Sequence, residues 1–170
     1  MPKANKNAGK SAQSASEAIH TVATHRRARF EYELMDRVEA GMVLTGTEVK
    51  ALRQAKANLE GAYASIENGE AWLHDCDIPE YSQGNQLNHK PKRSRKLLLH
   101  RREIERLNTR AGQKGLTLIP TRIYFKKGIA KVEIAIARGK KLHDKRESLK
   151  TREAKREIDR ASASRRRMSD

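Results

Sequence analysis

The sequence predicts a mainly β fold: an antiparallel barrel of the oligonucleotide-binding type, with flanking α-helices and disordered basic tails at both ends. Three observations lead there. Apolar and polar residues alternate through several short runs, two pairs of those runs are joined by tight-turn signals, and 37 Lys and Arg stand against 21 Asp and Glu in 170 residues, a formal charge of +16. Alternation with period two marks a half-buried strand, and strand runs that exceed helices in a small chain favour a barrel. A chain of this length holds one domain with tails.

Residues 1–25 are rich in Ala, Ser, Asn and Lys without periodicity. They are too polar to offset the entropy of ordering, so order is expected to begin near Arg29. "RFEYELMDRVEAGMVLTG" then alternates as a long first strand, with Gly41 expected at a bulge or bend. "TEVKALRQAKANL" changes to a helical period, with Thr47 as its expected cap. "AYASIENGEAWLHDCDI" holds two alternating runs around Asn68-Gly69, the pair a type I′ hairpin favours because both central residues need positive φ. A long polar loop follows, ending in "HKPKRSRK". "LLLHRREIERLNTRAGQKG" reads as a buried Leu run and then a helix started by His100 and Glu103 at capping-box spacing. "LTLIPTRIYF" and "AKVEIAIA" form a second hairpin across Lys126-Lys127-Gly128, with Pro120 at an edge or bulge because it cannot donate to a ladder. The barrel domain is therefore expected to span residues 26–139 and the basic tail residues 140–170.

A positive charge of this size points to a polyanionic partner, nucleic acid first. No basic segment carries the broad apolar face of a membrane-surface helix, and no span of about 20 apolar residues occurs, so no membrane partner and a cytoplasmic location are expected. The start has no signal-peptide apolar region. Cys76 is the only cysteine, which excludes an intrachain disulfide and a cysteine-based zinc cluster, and no cofactor is expected.

The most enzyme-like letters are "HDCD", His74 to Asp77. On a strand, His74 and Cys76 would share one face and the two aspartates the other, so a Cys–His nucleophilic pair is not built and a hydrolase is the weaker reading. Phosphate-loop, dinucleotide and H-E-x-x-H signatures are all missing. Aromatic residues make up 4% of the chain, too few for a sheet-wide stacking platform, so folded RNA recognised by shape and phosphate fits better. Lys92, Arg93, Arg95 and Lys96 in the basic loop, and Lys140 and Lys141 after the last strand, are the phosphate candidates. Glu39 by residue type alone is an exposed strand-end carboxylate, although such a group can accept hydrogen bonds from base amino groups. In the tail, Asp144 with Glu147 has capping-box spacing and three i, i+3 acid–base pairs follow. That encodes a helix too weak to persist without a partner.

The blocks "ARFEYELMDRVEAGMVLTGTEVKALRQAKANL", "NGEAWLHDCDI", "RSRKLLLHRREIERL", "GLTLIPTRIYFKKGIAKVEIAIARGKKLHDKR" and "ESLKTREAKRE" together closely resemble the SsrA-binding protein family, also called small protein B. The likeness runs from about Arg26 to Arg156. It implies a non-enzymatic, monomeric RNA-binding protein that binds the tRNA-like domain of transfer-messenger RNA and promotes its loading on stalled ribosomes. Alanyl-tRNA synthetase and elongation factor Tu are the implied functional associates. The alternative left by charge and fold alone is a constitutive ribosomal or general RNA-structural protein. By matching blocks, the resemblance places RNA contacts at Glu39, Leu98 and Lys131, which revises the reading of Glu39. It also implies a tail that folds as a helix in the vacant messenger channel, with His143, Asp144, Lys145 and Arg146 at the decoding centre. His143 is suited to stack on a base there. Lys150, Arg152, Lys155 and Arg156 continue along the same implied helix.

Overall fold

The computed structural model describes residues 19–84 and 88–141, with positions 144, 150, 153, 154, 156, 158 and 160 of the tail. In chain order the elements are β1 (Ile19–Thr24), α1 (Ala28–Glu31), β2 (Tyr32–Met42), α2 (Gly46–Arg53), β3 (Tyr63–Glu67), β4 (Glu70–His74), β5 (Arg95–Leu98), α3 (Arg101–Ala111), β6 (Leu116–Lys126) and β7 (Ile129–Gly139). Every strand pairing is antiparallel. The order β6-β3-β4-β5-β2-β7 returns to β6 through the β6–β7 ladder, so six strands close a barrel and β1 is added on β6. Closure removes the sheet edges of those strands.

Alternation decides what fills the barrel. Val38, Ala40 and Met42 of β2, Leu73 of β4, Leu97 of β5, Ile123 of β6 and Val132, Ile134 and Ile136 of β7 point inward and are buried together. Leu52 of α2 and Leu107 of α3 join the same core, which ties both helices to the barrel. Burying side chains of this size stabilises by roughly 1.5–3 kcal/mol each. Both hairpins form as the turn residues dictate: Asn68 and Gly69 have φ of 52° and 77°, Lys127 and Gly128 of 51° and 77°. Pro120 sits where the β6–β7 register shifts, the bulge position open to a residue without an N–H.

Several expectations need correction. Residues 19–24, expected to be disordered, form β1, because Val22 enters the core and the segment's backbone pairs with residues 122–126 of β6. Residues 1–18 lie outside the described residues. The shift in β2 falls between Leu34 and Arg37, whereas Gly41 is paired regularly. Gly41 is needed for a different reason: a Cβ there would stand 3.2 Å from the Cβ of Leu98. The α2 cap is Thr45, whose N–H donates to the Glu48 carboxylate at 2.7 Å. Thr47 instead bonds His89 Nδ1 at 2.9 Å and helps pin the polar loop. His100 starts α3 as expected, its N–H donating to Glu103 at 2.9 Å.

Candidate nucleic-acid interface

The three positions assigned by resemblance converge on one outer face. Gly41 is the register partner of both Leu98 on β5 and Lys131 on β7, and Glu39 lies two residues before it on β2. Residues two apart on a strand share a face, so Glu39, Leu98 and Lys131 surround the bare backbone of Gly41. Leu98 is 54% exposed, an apolar contact within a charged surface. The Glu39 carboxylate accepts a hydrogen bond from the Tyr124 hydroxyl, with Lys126 Nζ at 3.5 Å and Lys131 Nζ at 3.6 Å. The Tyr124 hydrogen bond and, against the opposing effect of burial, the two ammonium charges hold Glu39 below the usual carboxylate range. Tyr124 moves the other way: burial and its bond to Glu39 push its hydroxyl up to about 12. Glu39 is therefore an ionised acceptor in a fixed orientation, able to read base amino groups where a mobile carboxylate would mainly repel phosphate.

Beside this patch, where the β2–β7 and β6–β7 registers shift, lies an open cleft of about 440 Å³ lined by Arg26, Arg29, Arg37, Arg122, Thr121 and Glu133 among others. Glu133 is the register partner of Glu39 across β2–β7, so cleft and patch are adjacent. Arg122 lies 2.9 Å and Arg37 3.4 Å from the Glu133 carboxylate, and Thr121 donates to it at 2.6 Å. Burial disfavours the charge on Glu133, but these hydrogen bonds and guanidinium charges prevail and hold its carboxyl low. Arg26 and Arg29 are exposed and have no carboxylate partner among the described residues. Sequence reasoning passed over them. The signal was "HRRAR", a basic run bordering the segment expected to be disordered.

The basic loop divides on inspection. Lys92 is exposed, as a phosphate contact requires. Lys96 is ion-paired with Glu70 and is 40% exposed. Arg95 must be corrected: it is fully buried, bonded to Glu48 Oε1 at 2.8 Å and to the carbonyl oxygens of Cys76, Arg93 and Pro91. Glu48 is equally buried, and Arg93 completes the cluster with a bidentate contact at 2.8 and 2.5 Å. Arg93 therefore also points largely inward, at 30% exposure. A guanidinium fork satisfies a carboxylate and several carbonyls at once, which is why this loop uses arginine there.

At the end of β7, the Lys140 N–H donates to Glu31 and its ammonium to the carbonyl of Arg29, fixing the root of the tail beside the cleft. Lys141 is exposed, and its N–H donates to Asp144 at 3.2 Å. Asp144, Lys150 and Arg156 are helical and exposed, as is Ile158, at 65%. His143, Lys145, Arg146, Arg152 and Lys155 lie outside the described residues.

The possible catalytic letters do not assemble. β4 ends at His74, and Asp75 turns the chain with φ of 52°. Both ring nitrogens of His74 are engaged, with Ser65 Oγ at 2.8 Å and Ser94 Oγ at 2.9 Å. Cys76 is buried, and burial is the main reason its thiol is pushed up to about 11, the reverse of an activated nucleophile.

Comparison with known proteins gives the family. The family model described as SmpB protein matches residues 22–164. The SsrA-binding protein of Pelotomaculum thermopropionicum is 52% identical over 151 residues, covering 89% of this chain and 99% of that protein. Those of Desulforudis audaxviator and Thermobifida fusca are 55% identical, covering 87% and 97%, and 52% identical, covering 94% and 99%. A chain of the solved structure described as "tmRNA-SmpB: a journey to the center of the bacterial ribosome" superposes with a TM-score of 0.62 at 48% identity, covering 71% of this chain and 85% of that one. The chain belongs to the SmpB family of SsrA-binding proteins.

Proposed function

We propose that this protein binds the tRNA-like domain of transfer-messenger RNA and promotes its loading on stalled ribosomes for trans-translation. The observation that carries this is the convergence of Glu39, Leu98 and Lys131 around Gly41, on a barrel of a +16 chain. Leu98 offers apolar contact, Lys131 charge and Glu39 base selectivity, while Lys92, Lys141, Arg26 and Arg29 supply phosphate contacts that fix register. Lys96 and Lys140 contribute from the margin with their heads partly engaged. The protein works as a cytoplasmic monomer without cofactor or catalysis, beside alanyl-tRNA synthetase and elongation factor Tu.

The tail is the second working part. His143, Asp144, Lys145 and Arg146 are proposed to meet the decoding centre, and Lys150, Arg152, Lys155 and Arg156 to follow the vacant messenger channel as a helix. Exposure of the described tail positions suits a helix whose partner is RNA.

The test pairs full-length protein with a chain truncated after Gly139, measuring transfer-messenger RNA affinity and peptide tagging on stalled ribosomes. Truncation should leave affinity within a few-fold and abolish tagging. Equal affinity of the full-length protein for bulk tRNA, or occupancy of ribosomes in cells lacking transfer-messenger RNA, would point instead to a general RNA-structural protein.

A further inference from the structure

The outer face of β3, β4 and β5 carries a fixed aromatic cluster that no contact assigned above uses. Tyr63 pairs with His74 and Ser65 with Trp72 across β3–β4, and Trp72 pairs with Lys96 across β4–β5. Alternation puts all five side chains on the outside, while Ala64, Ala71 and Leu73 enter the core. His74 is held at both nitrogens by Ser65 and Ser94, with Glu67 3.4 Å from Nε2. The Tyr63 ring stacks on that imidazole at 5.0 Å with 26° between planes. Tyr63 nevertheless remains 45% exposed. A tyrosine with one face backed by an immobilised ring and a large part of its surface in water is built to receive another flat group, and it loses little conformational entropy in doing so.

Which flat group follows from the surroundings. Lys96 and Leu98 are alternate residues of β5, so this cluster continues without a break into the face around Gly41. The local charge is not positive: Glu67 and Glu70 outnumber Lys96, and Glu70 is already paired with it. Such a patch attracts phosphate only at its Lys96 margin and accepts a neutral ring beside Tyr63.

Resting on the RNA-binding reading above, we propose that Tyr63, braced by His74, is a stacking site for an unpaired base of the same transfer-messenger RNA that covers Leu98 and Lys131. The RNA interface then wraps from β7 across β2, β5 and β4 to β3. Specificity at this end comes from an extruded base, and affinity there is largely independent of salt.

The experiment measures transfer-messenger RNA binding by full-length protein and by Tyr63→Ala, Tyr63→Leu and Tyr63→Phe across a salt series, with ultraviolet crosslinking of each complex and a thermal melt to verify folding. Tyr63→Ala and Tyr63→Leu should weaken binding about 5- to 100-fold without changing the log–log salt slope, while Tyr63→Phe binds as the native protein. The native complex should crosslink through the peptide holding Tyr63, and Tyr63→Leu should not. Lys92→Ala provides the contrast, lowering the slope by about 0.7–0.9. Native-like binding by Tyr63→Ala, equal losses in Tyr63→Phe and Tyr63→Ala, or a changed slope overturns the stacking site. Failure of the native protein to prefer this RNA overturns the underlying reading as well.

Discussion

Arg95→Met separates a strut from a phosphate contact. The native guanidinium makes four hydrogen bonds, to Glu48, Cys76, Arg93 and Pro91, and has no exposed surface. Methionine fills a similar volume and makes none of them. Glu48 would stay buried with Arg93 and the Thr45 N–H, and three carbonyl oxygens would lose a donor. Breaking a buried pair costs about 3–5 kcal/mol, here through the three carbonyls left without their donor and the part of Glu48's charge compensation that is lost. For a domain of this size that corresponds to a fall in melting temperature of about 10–20 °C. Arg95→Lys should recover little, since an ammonium cannot span a carboxylate and three carbonyls. The assay is thermal denaturation, followed by RNA titration over a salt series well below the variant's transition. The expected result is a large loss of stability with an unchanged salt slope. A variant that melts within a degree or two of the native protein while its slope falls by about 0.7–0.9 would refute the strut and restore Arg95 as a phosphate contact.

Three further outcomes are expected. Arg26→Ala with Arg29→Ala should leave the melting temperature unchanged and lower the salt slope for RNA by about 1.4–1.8, as two lost phosphate contacts require; salt titration checks it. The carboxyls of Glu39, Glu48 and Glu133 are all held below the usual carboxylate range, so the stability they contribute is present in full above that range and lost as pH falls through their folded values; urea midpoints should drop on acidification below it, less steeply in Glu48→Gln. Cys76, buried and with its thiol pushed up to about 11, should resist iodoacetamide at pH 8 until the protein is unfolded, and Cys76→Ala should still support tagging.

What could be read from the sequence was what local chemistry decides. Asn68-Gly69 and Gly128 adopt the positive φ their residue types favour, with Lys127 carried into it by the tight turn, and Pro120 lands on a bulge, because these choices depend on neighbours in the chain. β1 was hidden because one buried valine in "IHTVAT" gives no alternation; its order comes from pairing with β6, about a hundred residues away. Arg95 was misread for the same reason. Nothing in "KRSRK" shows that Glu48, 47 residues earlier, is aimed at one of its arginines. The convergence on Gly41 was legible only through family resemblance, since it takes three strands to make it. Its small residue does have a local trace, a glycine inside an alternating run, but the close neighbour it admits is invisible until the barrel closes.

The placement of acid in so basic a chain then has a physical account. Attraction between +16 and a polyanion falls off with salt and carries no sequence information. Selectivity needs groups that a wrong partner leaves unsatisfied, and in the proposed interface Glu39 would be such a group: ionised, oriented by Tyr124, and flanked by Lys126 and Lys131. Unpaired, it would repel any backbone laid across it. The two lysines cancel much of that repulsion without occupying every carboxylate lone pair, so an RNA presenting an amino group gains a hydrogen bond and one presenting phosphate gains nothing. Glu133 does comparable work one strand over, neutralising Arg37 and Arg122 and leaving Arg26 and Arg29 as the open cations of the cleft. In the proposed interface the carboxylates would decide which of the surrounding positive charges remain available to RNA.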